Sequence, residues 1–306
     1  MTLKIFIHKP SALGFQEKKA LKVLADGFLS RGYVVTHNFF DVPSSSFSVI
    51  FGSVKLRFNF NHLVKKIITL TSKNFLVLES PVVGRASQHI EHMDDAFRVG
   101  INGFFADNGF SYAKDNCNSE INKNIFIKYN SVTDHILFKD NKIIGIALQV
   151  PGDASLKGFN QTKWIEDFFS GKVVNKSFLN GNRFIVRAPP LMKGFSAYKL
   201  NNLSYNNVIF QVGTNANKDS FFDDIDFLIT FSSTMAVDSI LRGVPSCATD
   251  SRSFLNLVTS SSLLDCFNKE FYIDEHYLNV LSNTTWRISQ LDSDHFHNMV
   301  VENLVS

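Results

Sequence analysis

Two rhythms of apolar residues alternate along this chain. Leu3 to Ile7 is a short apolar run closed by His8-Lys9-Pro10, the length of a buried strand. Gln16 to Ser30 then places Ala20, Leu21, Leu24 and Phe28 at helical spacing. Gly32 stops that helix, and Tyr33 to Thr36 reads as the next strand. Phe47 to Phe51 follows as strand, Asn61 to Leu70 as helix and Phe75 to Leu78 as strand. Strand, helix, strand at this rhythm predicts a parallel sheet covered on both faces.

From Glu79 to about Asn124 the pattern becomes irregular and rich in Gly, Asn, His and Asp, a length that in a compact domain signals a functional loop. A second series opens with Ile143 to Gln149 as strand and Gln161 to Phe169 as helix. It continues through strands Phe184 to Arg187, Val208 to Gln211 and Phe227 to Thr230, the helix Thr234 to Arg242, and the strand Ser246 to Thr249. The stretch from Asp274 reads as helical to the end. The expected architecture is α/β, with two Rossmann-like doubly wound parallel-sheet domains, residues 1–140 and 141–306, and a cleft between them.

Composition agrees with two cores: 306 residues, 44% hydrophobic and 19% charged, with mean hydropathy at zero. No apolar stretch approaches the roughly 20 residues that cross a bilayer, and Lys4, His8 and Lys9 interrupt any signal-like core. The reading is a soluble, cytoplasmic protein of a bacterial cell or a phage-infected host. Cys117, Cys247 and Cys266 lie far apart without a CxxC spacing, which argues against a disulfide framework or structural zinc. Net charge is +3, unevenly spread. Residues 1–150 hold 18 Lys+Arg against 12 Asp+Glu, net +6, and residues 151–306 hold 13 against 16, net −3. Such asymmetry fits an anionic partner for the first half, or chance surface composition.

The most informative segment runs from Asp226 to Pro245. A buried strand ends at Thr230, Ser232, Ser233 and Thr234 follow, and a helix starts whose apolar face is Ala236, Val237, Ile240 and Leu241, closed by Gly243. Hydroxyls and free N–H groups there suit a phosphate. They serve equally as a helix cap. Asp238 lies one turn further in, where a ribose could offer its hydroxyls. The strand from Ile144 delivers Gln149, Asp153 and Ser155 into a Pro/Gly loop at its carboxyl end, where open α/β sheets bind ligands.

A strand followed by Gln149-x-x-x-Asp153-x-Ser155, an Ile-Val-Arg187 strand, and Ser-Ser-Thr opening a helix that ends Arg242-Gly-x-Pro245 resembles the capsule-polysaccharide biosynthesis family of GT-B glycosyltransferases. The Kdo transferases of bacterial capsules are its best-known members. Glu79-Ser-Pro-Val-Val-Gly-Arg85 is similar to the family's acidic strand end before a Gly/Arg loop, and Thr285-Trp286-Arg-Ile-Ser resembles its helix with a Gln-Trp-Thr signature. Two departures stand out: Arg187-Ala-Pro-Pro190 replaces Arg-Pro-His-Pro, and Asp238 replaces the usual Glu.

The resemblance implies a metal-independent glycosyltransferase that moves a sugar from a nucleotide-sugar donor to a hydroxyl acceptor. It uses no bound cofactor, and a UDP- or CMP-linked sugar is the co-substrate. Arg187, Ser232, Ser233 and Thr234 would hold the donor phosphates, Asp238 the ribose, and Gln149, Asp153 and Ser155 the rest of the donor site. Glu79 would be the base. On the acceptor side Arg85, Lys55, Arg57, Lys65 and Lys66 would suit a polyanion, either an acidic glycan or a hydroxymethylated base flipped from phage DNA. A solvated basic helix face explains the lysines as well. Alternatives on the same fold are a sugar-nucleotide epimerase or hydrolase, or an inactive nucleotide-sugar binding protein.

Other constellations weigh less. His89, His92 and His295, His297 are reminiscent of metal ligands only in composition. Phe104, Phe105, Phe110 and Tyr112 suit a sugar stack or ordinary core packing. Gly100-Ile-Asn-Gly103 is too short for a dinucleotide fingerprint.

Overall fold

Each half of the alternating pattern builds its own sheet. The computed structural model describes residues 3–10, 13–52, 60–81, 95–104, 109–114, 141–189, 205, 207–212, 218–254 and 275–305, and these divide into two units.

The first unit contains β1 (Lys4–Ile7), α1 (Phe15–Ser30), β2 (Val34–Thr36), β3 (Phe47–Phe51), α2 (Phe60–Thr71), β4 (Phe75–Glu79) and β5 (Ala96–Ile101). β1 to β4 pair in parallel. Gly32 ends α1 at φ +80°, a backbone region that only glycine enters freely. Successive residues of a strand face opposite sides. Phe6, Ile50 and Val77 accordingly form one layer with Ile68 of α2 and with Val42 of the 3-10 turn Phe39–Ser44. Phe47 meets Phe28 of α1 edge to face at 5.6 Å. The region expected to be irregular contains β5, which runs antiparallel to β4 with Glu79 opposite Arg98. The first sheet is therefore mixed rather than purely parallel.

The second unit is built from β6 (Ile143–Ala147), α3 (Gln161–Phe169), α4 (Lys176–Gly181), β7 (Arg183–Ala188), β8 (Val208–Val212), α5 (Lys218–Asp223), β9 (Phe227–Thr230), α6 (Met235–Leu241) and β10 (Ser246–Ala248). Its five strands are all parallel, in the order β10-β9-β6-β7-β8. Both faces are covered. Ile144, Ile146 and Leu148 pack with Ile165, Phe168 and Phe169 of α3, whereas Ala147 packs with Phe221, Phe222 and Ile225 beside α5. Gly145 lies under that second layer, where a Cβ would stand 2.6 Å from Ile225 Cδ1 and 2.9 Å from Phe221 Cζ. Asn160 caps α3 through Lys163 N (3.1 Å) and Asn175 caps α4 through Phe178 N (2.7 Å).

The last thirty residues depart from expectation in two ways. They are not helical throughout: α7 (Glu275–Thr284) gives way to β11 (Thr285–Arg287), and only then to α8 (Asp294–Leu304). Trp286 is thus a strand residue. Nor do they stay with 141–277, because β11 completes the first sheet, order β11-β5-β4-β3-β1-β2. Trp286 pairs antiparallel with Phe97, its indole N–H donates to Asn283 O (2.9 Å) and its ring packs on Phe296 at 4.9 Å. His297 of α8 closes on Phe28 at 4.4 Å. Aromatic burial of this size outweighs local helix propensity.

Candidate functional site

In the second sheet the order β10-β9-β6-β7-β8 reverses direction between β6 and β9. Ligands of open α/β sheets bind beyond the strand ends at such a switch point. Ala147 and Thr230 stand opposite one another at the carboxyl ends of these strands, and the Thr230 hydroxyl donates to Ala147 O (2.9 Å). Two residues further on, Gln149 spans the gap. Its Nε2 donates to Ser155 Oγ (2.6 Å), while its Oε1 accepts from Ser232 N (3.0 Å). Ser155 in turn donates from Oγ (2.8 Å) and N (2.9 Å) to Asp153 Oδ1. The Ser232 hydroxyl lies 3.2 Å from Gln149 Oε1 and 3.4 Å from Ser155 O. The structure therefore brings Gln149, Asp153, Ser155 and Ser232 into one hydrogen-bonded cluster.

Ser233 and Thr234 continue from it. Ser233 Oγ accepts from Met235 N (3.2 Å) just ahead of α6, whose N-cap residue Thr234 is exposed. Gly243 closes α6 at φ +78°. Arg187 is the penultimate residue of β7, opposite Ala147 and Gln211. Its guanidinium is buried, 5.5 Å from the Phe221 ring, and desolvation lowers its pKa.

Asp238 requires a correction. It is 2% exposed and its Oδ2 accepts from Lys218 Nζ at the start of α5. Burial raises its pKa against the opposing pull of Lys218. The carboxylate is the buried counter-charge of Lys218 and presents no surface to a ribose.

In the first unit Glu79 sits at the carboxyl end of β4. Its Oε2 accepts from Arg98 Nη2 at 2.7 Å, and Arg98 stacks 5.6 Å from the centroid of Phe110. Lys65, expected among the acceptor-binding cations, points inward: it is 7% exposed, with Nζ donating to Gly52 O (3.2 Å). Lys66 is exposed. Lys55, Arg57 and Arg85 lie outside the described residues, as do Phe105, His89 and His92. His8, at the end of β1, has a buried Nε2 without a hydrogen-bond partner, and burial followed by the charge of Lys65 lowers its pKa to about 4. Phe110 and Tyr112 are buried, with the Tyr112 hydroxyl donating to Val99 O (2.7 Å), and Phe104 packs against Phe75. All three belong to the core. Among the described residues no group of three His, Cys, Asp or Glu converges as a metal site.

Sequence reasoning missed two polar residues and an aromatic pair. Gln161, first residue of α3, pairs with the Gln149 main chain in both directions: its Oε1 accepts from Gln149 N (2.6 Å) and its Nε2 donates to Gln149 O (2.8 Å). Arg252 follows β10, forms an ion pair with Asp250, and donates from Nη2 to Ser155 O (3.1 Å). Phe231, between Thr230 and Ser232, stacks on Phe159 at 3.8 Å. A Gln at the head of the helix that follows β6 was the one signal available; Arg252 gave none.

No protein-family model matches the sequence, and no curated protein matches it. Solved structures do. The beta Kdo 2,4 transferase of Thermosulfurimonas dismutans KpsC superposes with a TM-score of 0.55 at 12% identity, covering 96% of this chain and 99% of that one. The beta Kdo 2,7 transferase of the same protein gives 0.48 at 11% identity, over 93% and 90%. An S. aureus MnaA–UDP co-structure gives 0.32 at 11%, over 92% and 91%. The first of these carries the assignment: the chain has a GT-B-like fold of two Rossmann-like units.

Proposed function

We propose that the protein is a glycosyltransferase that takes a sugar from a nucleotide-sugar donor and passes it to a hydroxyl acceptor. The observation that carries this reading is the cluster of Gln149, Asp153, Ser155 and Ser232 beyond β6 and β9. Its polar groups are locked to one another in advance, so little ordering is needed when a ligand arrives. Asp153 commits Oδ1 to Ser155 and leaves Oδ2 to the donor. The departing phosphate gathers negative charge. Ser232, Ser233, Thr234 and Arg187 are the groups assigned to stabilise it. Arg252 joins them through its bond to Ser155 O. Glu79 is assigned as the base: Arg98 holds Oε2, which leaves Oε1 to accept the proton of the acceptor hydroxyl. An acidic glycan and a hydroxymethylated duplex are the acceptors to assay.

The test is a melting-temperature panel with UDP, CMP, GDP and TDP and their common sugars, on wild type and Ser232→Ala. A ligand bound by the native state alone raises the melting temperature by mass action. One nucleotide should produce a shift, and Ser232→Ala should reduce it. The donor sugar should then be consumed only when acceptor is present. Consumption without acceptor would assign an epimerase or hydrolase instead, and no shift with any nucleotide would refute the donor site.

A further inference from the structure

A second surface, apart from the strand-end cluster, stands out on α2. That helix is amphipathic, yet it wets part of its apolar side. Ile68 packs into the core, whereas Phe60 is 76% exposed and Leu70 74%, with Leu63 also in solvent and Ile67 half-buried. Positions 60, 63, 67 and 70 follow the i, i+3, i+7, i+10 spacing of a single helix face. Next to α2, the 3-10 turn Phe39–Ser44 exposes Phe40 at 89%. Scattered exposed apolar residues are ordinary, but a contiguous aromatic and aliphatic stripe marks an interaction surface.

Charge identifies what it meets. Between Asp41 and Glu79 the chain has no acidic residue, and it has five cations, Lys55, Arg57, Lys65, Lys66 and Lys73. Lys66 and Lys73 are exposed at the side and at the end of the helix. A protein partner would need to be apolar and acidic in one patch. An anionic lipid surface is both everywhere, with phosphates at the depth of the lysines and acyl chains below them. We propose that α2 is an interfacial helix that seats this protein on an anionic membrane surface, with Phe60, Leu63, Ile67 and Leu70 in the acyl boundary and Lys66 and Lys73 among the headgroups. The proposal is independent of the donor site, because α2 contributes none of the residues of the strand-end cluster, and it reassigns Lys66 from the acceptor to the lipid headgroups.

The experiment is co-sedimentation of the full chain with phosphatidylcholine vesicles and with vesicles that also contain phosphatidylglycerol. Phe60→Ser/Leu70→Ser and Lys66→Gln/Lys73→Gln are compared with wild type. Wild type should bind the anionic vesicles and release as salt is raised. The serine pair should weaken binding at least about tenfold by removing the inserted apolar surface, and each lysine removed should weaken it about fivefold. Melting temperatures should stay at the wild-type value, since these side chains are already in solvent; that guards against misfolding as the cause. Failure to bind anionic vesicles overturns the proposal, as does equal binding to neutral ones. Binding to duplex DNA but not to vesicles would reassign the lysines to a nucleic acid. A dimer in lipid-free solution that the serine pair dissolves, without vesicle binding by wild type, would make the stripe a self-association face.

Discussion

Gln161 offers a direct test of how the strand-end cluster is held. Its side-chain amide replaces a missing strand neighbour, accepting from Gln149 N at 2.6 Å and donating to Gln149 O at 2.8 Å, with Gln161 and Gln149 both buried. Gln161→Ala leaves a buried main-chain donor and a buried acceptor without partners. Each orphan costs about 1–3 kcal/mol, and partial entry of water brings the pair to about 3 kcal/mol. For a unit of this size 1 kcal/mol corresponds to about 2–4 °C, so melting followed by circular dichroism should fall by about 6–12 °C. Gln161→Met separates the causes, because it keeps the length of the side chain and removes both polar ends. It should melt close to the alanine variant. If Gln161→Met melts like wild type, the loss in Gln161→Ala is one of packing and the hydrogen-bond argument is refuted.

Three further outcomes follow from the geometry. Gly145→Ala should lose about 1–3 kcal/mol in urea unfolding, and Ile225→Val, which removes the Cδ1 methyl standing 2.6 Å from the new Cβ, should recover part of it. Asp238→Ala removes the buried counter-charge of a largely buried Lys218 and should cost about 3–5 kcal/mol, most of which the double variant Lys218→Met/Asp238→Leu restores; an additive double variant would contradict the pairing. Burial, reinforced by the charge of Arg31, lowers the His297 imidazole to about 4, against about 6.5 in the unfolded chain. The unfolded state then binds more protons as pH drops through this window. Stability should fall between about pH 6.5 and pH 4 and be indifferent to this group above it. In His297→Leu the urea midpoint should vary less with pH over that range.

The strands that could be read from the sequence were those made mostly of apolar residues, with a single small hydroxyl residue, Ser48 or Thr230, in each. Phe227–Thr230 and Phe47–Phe51 are buried on both faces, and the run itself announces them. β5 could not be read this way because Arg98 stands in its middle and Gly100 near its end. The arginine is received by Glu79 on the neighbouring strand and by the Phe110 ring, partners supplied by tertiary structure. β11 is three residues long and includes Arg287, too little for any periodicity. In the site, Gln149, Asp153, Ser155 and Ser232 were visible as polar residues placed just after apolar strands. Arg252 was not, since its acceptor Ser155 O lies 97 positions away. Asp238 was misread for a related reason: a carboxylate on a helix gives no sign that a lysine 20 positions earlier has claimed it.

The place of β11 at the edge of the first sheet also sets a timetable for synthesis. Its partner strand ends at Ile101 and β11 ends at Arg287, 186 residues later. At about 5–20 residues per second, β5 waits about 10–40 s on the ribosome for its outer neighbour, while every strand of the second sheet, ending at Ala248, has already been made. During that wait the outer edge of β5 is open, and open edges recruit strands from neighbouring chains. Arg98, paired with Glu79 on β4, keeps a charge in the middle of β5, and a strand that contains a charge is a poorer template for neighbouring chains; the residue that hid the strand from sequence reading is thus the one that should make its waiting edge less adhesive.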